Sequence, residues 1–176
     1  YCYARYGTPT NAALEELITA LENGGGALAC CSGMMALQTA LLCALADRPK
    51  RVVAAEALYG ATVTLLNSVL EPLGVQARFV DPCDLAAVEQ TLAEHRPGCL
   101  LVETISNPLL RVPALDRLAE LAHRFDACFV VDNTFATPLL VRPIELGADF
   151  VVHSATKYLA GHGDVLGGLV VCRGEF

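Results

Sequence analysis

Apolar positions along the chain recur first at helical spacing and then in short runs, and the two patterns alternate to its end. Over residues 11 to 23, Leu14, Leu17, Ile18 and Leu21 return every three or four residues and the pattern stops at Gly24-Gly25-Gly26, which predicts an amphipathic helix with a glycine stop. A short apolar run (27 to 31) follows, then a helix opening near Gly33, a β-rich run (51 to 55) and a helix from about Gly60 to Leu70. The alternation continues through a run at 75 to 80, a helix over 84 to 94, a run at 98 to 103, a helix over 114 to 125 and the β-prone Cys128-Phe129-Val130-Val131-Asp132. Two further runs, 149 to 152 and 168 to 172, flank a Gly/His loop. Strand and helix alternating at this spacing predict an α/β fold, a mainly parallel sheet covered by helices on both faces. No repeat or linker interrupts the pattern, so residues 1–176 read as a single domain. Ligands of such sheets sit at the carboxyl ends of the strands, which directs attention to polar residues just after apolar runs.

Composition narrows the partners. Of the 176 residues 54% are apolar, enough for a packed core, and the net charge of −7 with 12 scattered basic residues argues against nucleic acid or an anionic membrane surface. No apolar run reaches the roughly 18 to 20 residues of a membrane span. There is no initiator Met and no secretory signal pattern, and both ends read as cut, so the expectation is a fragment of a longer protein. The eight cysteines contain no C-x-x-C pair and mostly sit in apolar stretches, which predicts reduced core thiols and a cytoplasmic location. His162 has no metal partner at zincin-like spacing, and no metal is expected.

The polar residues after the runs form a coherent set. A pyridoxal-phosphate (PLP) site needs a lysine for a Schiff base, a carboxylate for the pyridine nitrogen, donors for the phosphate and something flat against the ring. Ser32-Gly33-Met34 opens a helix, so its free N–H groups could hold a phosphate, with Gly33 allowing close approach; Ser32 could equally be an ordinary N-cap. Asp132 ends a buried run and would need a cationic partner, or could cap the next turn. Lys157 follows the small residues His153-Ser154-Ala155-Thr156, where burial would favour a neutral amine. Ser154 and Thr156 could donate to phosphate or satisfy turn backbone. Tyr59 could stack on a ring or plug the core. Glu103 and Asn107 flank Ser106, and Asn107-Pro108 is also an ordinary turn signal.

Taken together, these segments resemble the Cys/Met-metabolism PLP enzymes, the trans-sulfuration family of cystathionine γ-synthase, cystathionine lyases, methionine γ-lyase and homoserine-ester sulfhydrylases. Ser154-Ala155-Thr156-Lys157-Tyr158-Leu159 followed by Gly161-His162-Gly163-Asp164 is similar to the family's lysine signature and carries most of the resemblance. Tyr3-Ala4-Arg5, Ser32-Gly33-Met34, Leu58-Tyr59-Gly60, Glu103-Thr104, Ser106-Asn107-Pro108 and Val131-Asp132-Asn133-Thr134 occur in the family's order. Thr8 stands where Asn is usual, Ile105 where Pro or a similar residue is expected, and Gly163 where Ser is frequent.

The resemblance implies the large PLP-binding domain of the aspartate-aminotransferase-like class (fold type I). In it Lys157 holds PLP as a Schiff base and moves protons, Asp132 pairs with the pyridine nitrogen, Tyr59 stacks on the ring and assists proton transfer, and Asn107 contacts the 3-oxygen. Gly33 and Met34 amides with the Ser154 and Thr156 hydroxyls would bind the phosphate, and Tyr3 and Arg5 would reach the cofactor of a neighbouring subunit in a homodimer or homotetramer. It also implies that an N-terminal arm and a C-terminal domain, the latter supplying the arginine for the substrate carboxylate, are missing, so that the fragment alone is inactive. The implied activity is β/γ-elimination or γ-replacement on a sulfur-containing amino acid or activated homoserine. Ala61, where methionine γ-lyases tend to carry Cys, leans the choice toward a cystathionine γ-synthase or lyase. The alternatives are a homoserine-ester sulfhydrylase, a methionine γ-lyase or a catalytically inactive assembly module; a nucleotide-binding domain is disfavoured because neither G-x-G-x-x-G nor G-x-x-x-x-G-K-[ST] is present.

Overall fold

A computed structural model describes residue 3 and residues 6–174. It contains one seven-stranded sheet: β1 (Gly26–Cys30), β2 (Arg51–Ala55), β3 (Gln76–Val80), β4 (Cys99–Glu103), β5 (Cys128–Asp132), β6 (Phe150–Ser154) and β7 (Gly168–Cys172), in the spatial order β1-β7-β6-β5-β4-β2-β3. β2 runs parallel to β3 and β4, β4 to β5, and β5 to β6; β7 is antiparallel to both of its neighbours. All five residues of β4 and of β7 are buried. Successive strand side chains point to opposite faces, so unbroken burial requires cover on both faces.

The cover comes from α1 (Pro9–Glu22), α2 (Gly33–Ala44), α3 (Gly60–Thr64), α4 (Leu85–His95), α5 (Leu115–Arg124) and α6 (Thr137–Leu140). Their starts are written in local chemistry. The Thr8, Ser32 and Asp84 side chains accept the N–H groups of Asn11, Met35 and Ala87 at 3.1, 3.2 and 3.0 Å, each relieving one orphan donor of a first turn. α1 therefore begins two residues before the apolar spacing alone predicts, and it ends at Asn23, whose left-handed φ of 58° turns the chain toward β1. α5 buries Leu115, Leu118, Ala119, Leu121 and Ala122 along one stripe, as its spacing predicts.

Two predicted elements differ. The helix expected from Gly60 to Leu70 is α-helical only to Thr64; Leu65–Leu70 is π-helical and Glu71–Leu73 is a 3-10 turn that Gly74 closes. The cysteines are the second: Cys99, Cys128 and Cys172 are buried, but Cys31, Cys43 and Cys83 are exposed, at the end of β1, on the outer side of α2 and in the turn before α4. Cys30 is half-buried, so core thiols are only part of the picture; all seven described cysteines are free, and Cys2 lies outside the described residues.

Phe129 is the bulkiest fully enclosed side chain among the described residues, second in β5 and three residues before Asp132 at the strand's end. Phe129→Ala in the full-length protein should cost about 3–5 kcal/mol of unfolding free energy, read as a lower urea midpoint at unchanged slope.

Candidate active site

β2, β4, β5 and β6 end at one edge, and there a cavity of about 340 Å³ opens. Gly33, Met34, Tyr59, Asn107, Asp132, Ser154, Thr156 and Lys157 all line it. Eight candidates drawn from five separate segments are brought to one place by the topology.

At one end α2 begins. No intrahelical carbonyl is available to the Gly33 and Met34 N–H groups, and no other acceptor takes them among the described residues. A Cβ on Gly33 would stand 2.6 Å from Ser154 Cβ and 2.8 Å from Ser154 Oγ, so only glycine lets this helix start approach the β6 end. The Ser32 hydroxyl is used as an N-cap, which is the plainer of its two expected roles.

Asp132 closes β5. Its Oδ1 accepts the Thr134 N–H at 2.9 Å, and Thr134 Oγ1 in turn accepts the Ser154 N–H at 2.8 Å, so the turn-capping role is present together with the position at the cavity wall. Burial pushes the Asp132 pKa up, while the Thr134 hydroxyl and N–H and the charge of His153 push it down. Thr134 was quoted in the sequence only as part of a segment; it is the link that fixes the β5 end to the β6 end.

Glu103 is the residue whose role the sequence did not reveal. It is 7% exposed and divides its carboxylate: Oε1 accepts the Tyr59 N–H at 2.6 Å and Oε2 the Asn107 N–H at 2.9 Å. One side chain thus fixes the loops that present both Tyr59 and Asn107. It does so where the chain leaves β2 outward to β3 and leaves β4 inward to β5, the point at which the strand order switches. Burial outweighs the two donated N–H bonds and, with the nearby Asp132, pushes its pKa up to about 7.

The remaining candidates divide. Tyr59 is 48% exposed and lines the cavity, so it is no core plug. Lys157 is exposed, and the burial expected from its small neighbours is absent: the chain after Ser154 turns outward and carries Lys157 to the rim. It makes no ion pair among the described residues. Thr156 lines the cavity, but its hydroxyl donates to Gly167 O at 3.2 Å and accepts Gly167 N–H at 3.1 Å, the turn-satisfying alternative. Ser154 Oγ makes no such bond. Tyr3 packs edge-on against Tyr6 away from the cavity, and Arg5 lies outside the described residues. His162 borders a second opening beside Lys157 and Tyr158, and no cluster of metal-binding side chains occurs among the described residues.

Comparison with known proteins identifies this arrangement. The sheet and its helices are those of fold type I PLP-dependent enzymes: a cystathionine γ-lyase from Lactobacillus plantarum, solved with L-serine, superposes with a TM-score of 0.92 at 40% identity over 98% of this chain and 45% of that one. The model of the Cys/Met metabolism PLP-dependent enzyme family matches residues 1–176, and the chain belongs to that family. An L-methionine γ-lyase of Fusobacterium nucleatum is 44% identical over 99% of the chain, and a cystathionine γ-lyase of Bacillus subtilis 42% identical over 97%. The chain spans 44% of the length of each of these two relatives.

The residues fit PLP: the slot that a Gly33 Cβ would fill faces two unengaged amides, a partly desolvated carboxylate stands at Asp132, and a lysine stands at the rim. Gly33→Ala should abolish PLP retention by the full-length protein without unfolding it, read by equilibrium dialysis beside a circular dichroism spectrum. Glu103 gives a pH signature. Between pH 4.5 and about 7 the folded protein keeps a proton that the unfolded chain has released, so stability falls as pH rises through that window. Glu103→Gln should flatten the dependence by up to about 3 kcal/mol in apoenzyme unfolding measured across that range.

Proposed function

We propose that the protein containing this chain is a PLP-dependent trans-sulfuration enzyme, catalysing β/γ-elimination or γ-replacement on a sulfur-containing amino acid or activated homoserine, of the cystathionine γ-synthase or cystathionine lyase type. The observation that carries this is the meeting of Lys157, Asp132 and the Gly33–Met34 amides in one cavity at the carboxyl ends of parallel strands. PLP held there supplies a sink for the electron pair left when a substrate Cα–H bond breaks.

The residues divide the work. The Gly33 and Met34 N–H groups, at the positive end of α2, and the uncommitted Ser154 hydroxyl receive the phosphate. Asp132 would be the charge partner of a protonated pyridine nitrogen, Tyr59 would cover the ring, and Asn107 would contact its 3-oxygen. Lys157 Nζ would hold the cofactor covalently and would be the group that carries the Cα proton; its place at the rim, lining both openings, supports both tasks. Tyr59 is 48% exposed and so has a hydroxyl free of the core to serve the leaving group. Tyr3 and Arg5 serve a neighbouring subunit's site, making the enzyme a homodimer or homotetramer, and its location is cytoplasmic.

Methionine γ-lyase is the second reading, favoured by the 44% identity to the Fusobacterium enzyme of that name. Against it, Ala61 takes the place of the cysteine usual there, and it does not line the cavity.

The full-length protein should carry a visible cofactor band that borohydride removes, leaving the label on the Lys157 peptide. Lys157→Ala should lower turnover by about 10³-fold or more. A colourless protein that takes up no added PLP would sink the proposal. Parallel assays with cystathionine and methionine separate the two readings.

A further inference from the structure

A second polar cluster lies behind the sheet. Val151 and His153 alternate with Val152 and Ser154 along β6, and Ser154 faces the cavity, so His153 points to the opposite face. There it meets Glu22, the last residue of α1, and Asn133, the residue after Asp132; all three are 0% exposed. His153 Nε2 lies 2.6 Å from Glu22 Oε1, which also accepts Asn133 Nδ2 at 2.9 Å, and Asn133 Nδ2 donates to Val141 O at 3.0 Å. Glu22 Oε2, Asn133 Oδ1 and His153 Nδ1 have no hydrogen-bond partner among the described residues.

Apolar side chains of the same volume would stabilise this position more cheaply than a buried carboxylate and imidazole. What the cluster does instead is tie together the two strand ends that carry the chemistry. One oxygen of Glu22 holds the residue after Asp132 and the residue before Ser154. Glu22 and Asp132 are two carboxylates against the same strand ends, and the charge of His153 opposes the burial that raises the Asp132 pKa.

We propose that Glu22, His153 and Asn133 form a positioning unit for the PLP site: Glu22 fixes the β5 and β6 ends to α1, and the imidazole of His153, behind the sheet, supports the carboxylate of Asp132. This rests on the cofactor assignment above. The other charged groups around Asp132 are Glu103 from β4 and Lys157 from the loop after β6, while α2 presents the uncharged Ser32, Met34 and Leu37.

The test uses full-length apoenzyme titrated with PLP at a series of pH values, read by visible absorbance. His153→Gln keeps an amide donor for Glu22 and removes the charge. It should weaken PLP binding about tenfold and move the acid limb of binding to higher pH. If that variant fails to fold, the E22Q/H153Q double variant replaces it, since neither buried charge is then left alone; it should weaken binding likewise and move the acid limb in the same direction by less, because the Glu22 charge is removed with that of His153. Unaltered affinity and acid limb overturn the proposal, and weaker binding with an unmoved acid limb overturns the charge role by leaving packing alone. No PLP uptake by the unsubstituted protein would instead remove the cofactor assignment on which the unit depends.

Discussion

Four parallel strands that finish at the same edge are the constraint on which the rest of the molecule depends. A strand buried on both faces spends its backbone groups on its neighbours and its side chains on the core, so chemistry can enter only where the strand stops. β2, β4, β5 and β6 stop together, and the residues at or just past their ends, Tyr59, Glu103, Asp132 and Ser154, are therefore neighbours although 95 positions separate the first from the last. α2 completes the cavity because Gly33 has no side chain to hold it away from Ser154.

Strand ends in one place do not by themselves give fixed side chains. In this protein two buried carboxylates perform that task from opposite sides of the sheet. Glu103 gives one oxygen to each of two loop amides on the cavity side, and Glu22 gives one oxygen to two side chains behind it. Each pays a desolvation cost that a leucine would avoid. Each joins segments that are distant in sequence, Tyr59 to Asn107 in one case and α1 to β5 and β6 in the other. Thr134 adds a third, neutral link between Asp132 and Ser154. Rigidity at the site is thus built from polar groups with few alternatives, while the apolar core supplies stability.

The strands were legible because parallel, doubly covered strands are unbroken apolar runs, and Asp132 and Ser154 could be read as their ends. The helix start at Ser32 was legible for a local reason, a capping side chain one residue ahead of the helix. What depends on pairing across the chain was not. The antiparallel β7 looks like any other apolar run, and its direction is fixed by a connection that the pattern does not describe. Glu103 looked like the edge of a turn, since its two partners are backbone amides that leave no trace in residue type. Glu22 and His153 are 131 positions apart and neither stands in an unusual local context. Lys157 was expected to be buried because its neighbours are small; small residues permit burial but do not compel it, and the chain turns outward after Ser154.

The cavity joins polar and apolar lining, and the mixture bears on what it can select. Leu37, Ile105 and Leu166 line it together with the amides of α2 and the Asp132 carboxylate, a combination that suits a planar apolar ring carrying a phosphate and a protonated nitrogen. On the proposed reading those features serve the cofactor rather than the substrate. Relatives named as a lyase acting on methionine and as one acting on cystathionine are almost equally similar to this stretch, at 44% and 42% identity. A segment whose side chains are occupied with holding and tuning one cofactor has little freedom left to differ between reactions. On the proposed reading, differences in substrate should then be sought among residues that meet the far end of the amino acid, with this chain's own contribution expected at the open rim around Tyr158 and His162.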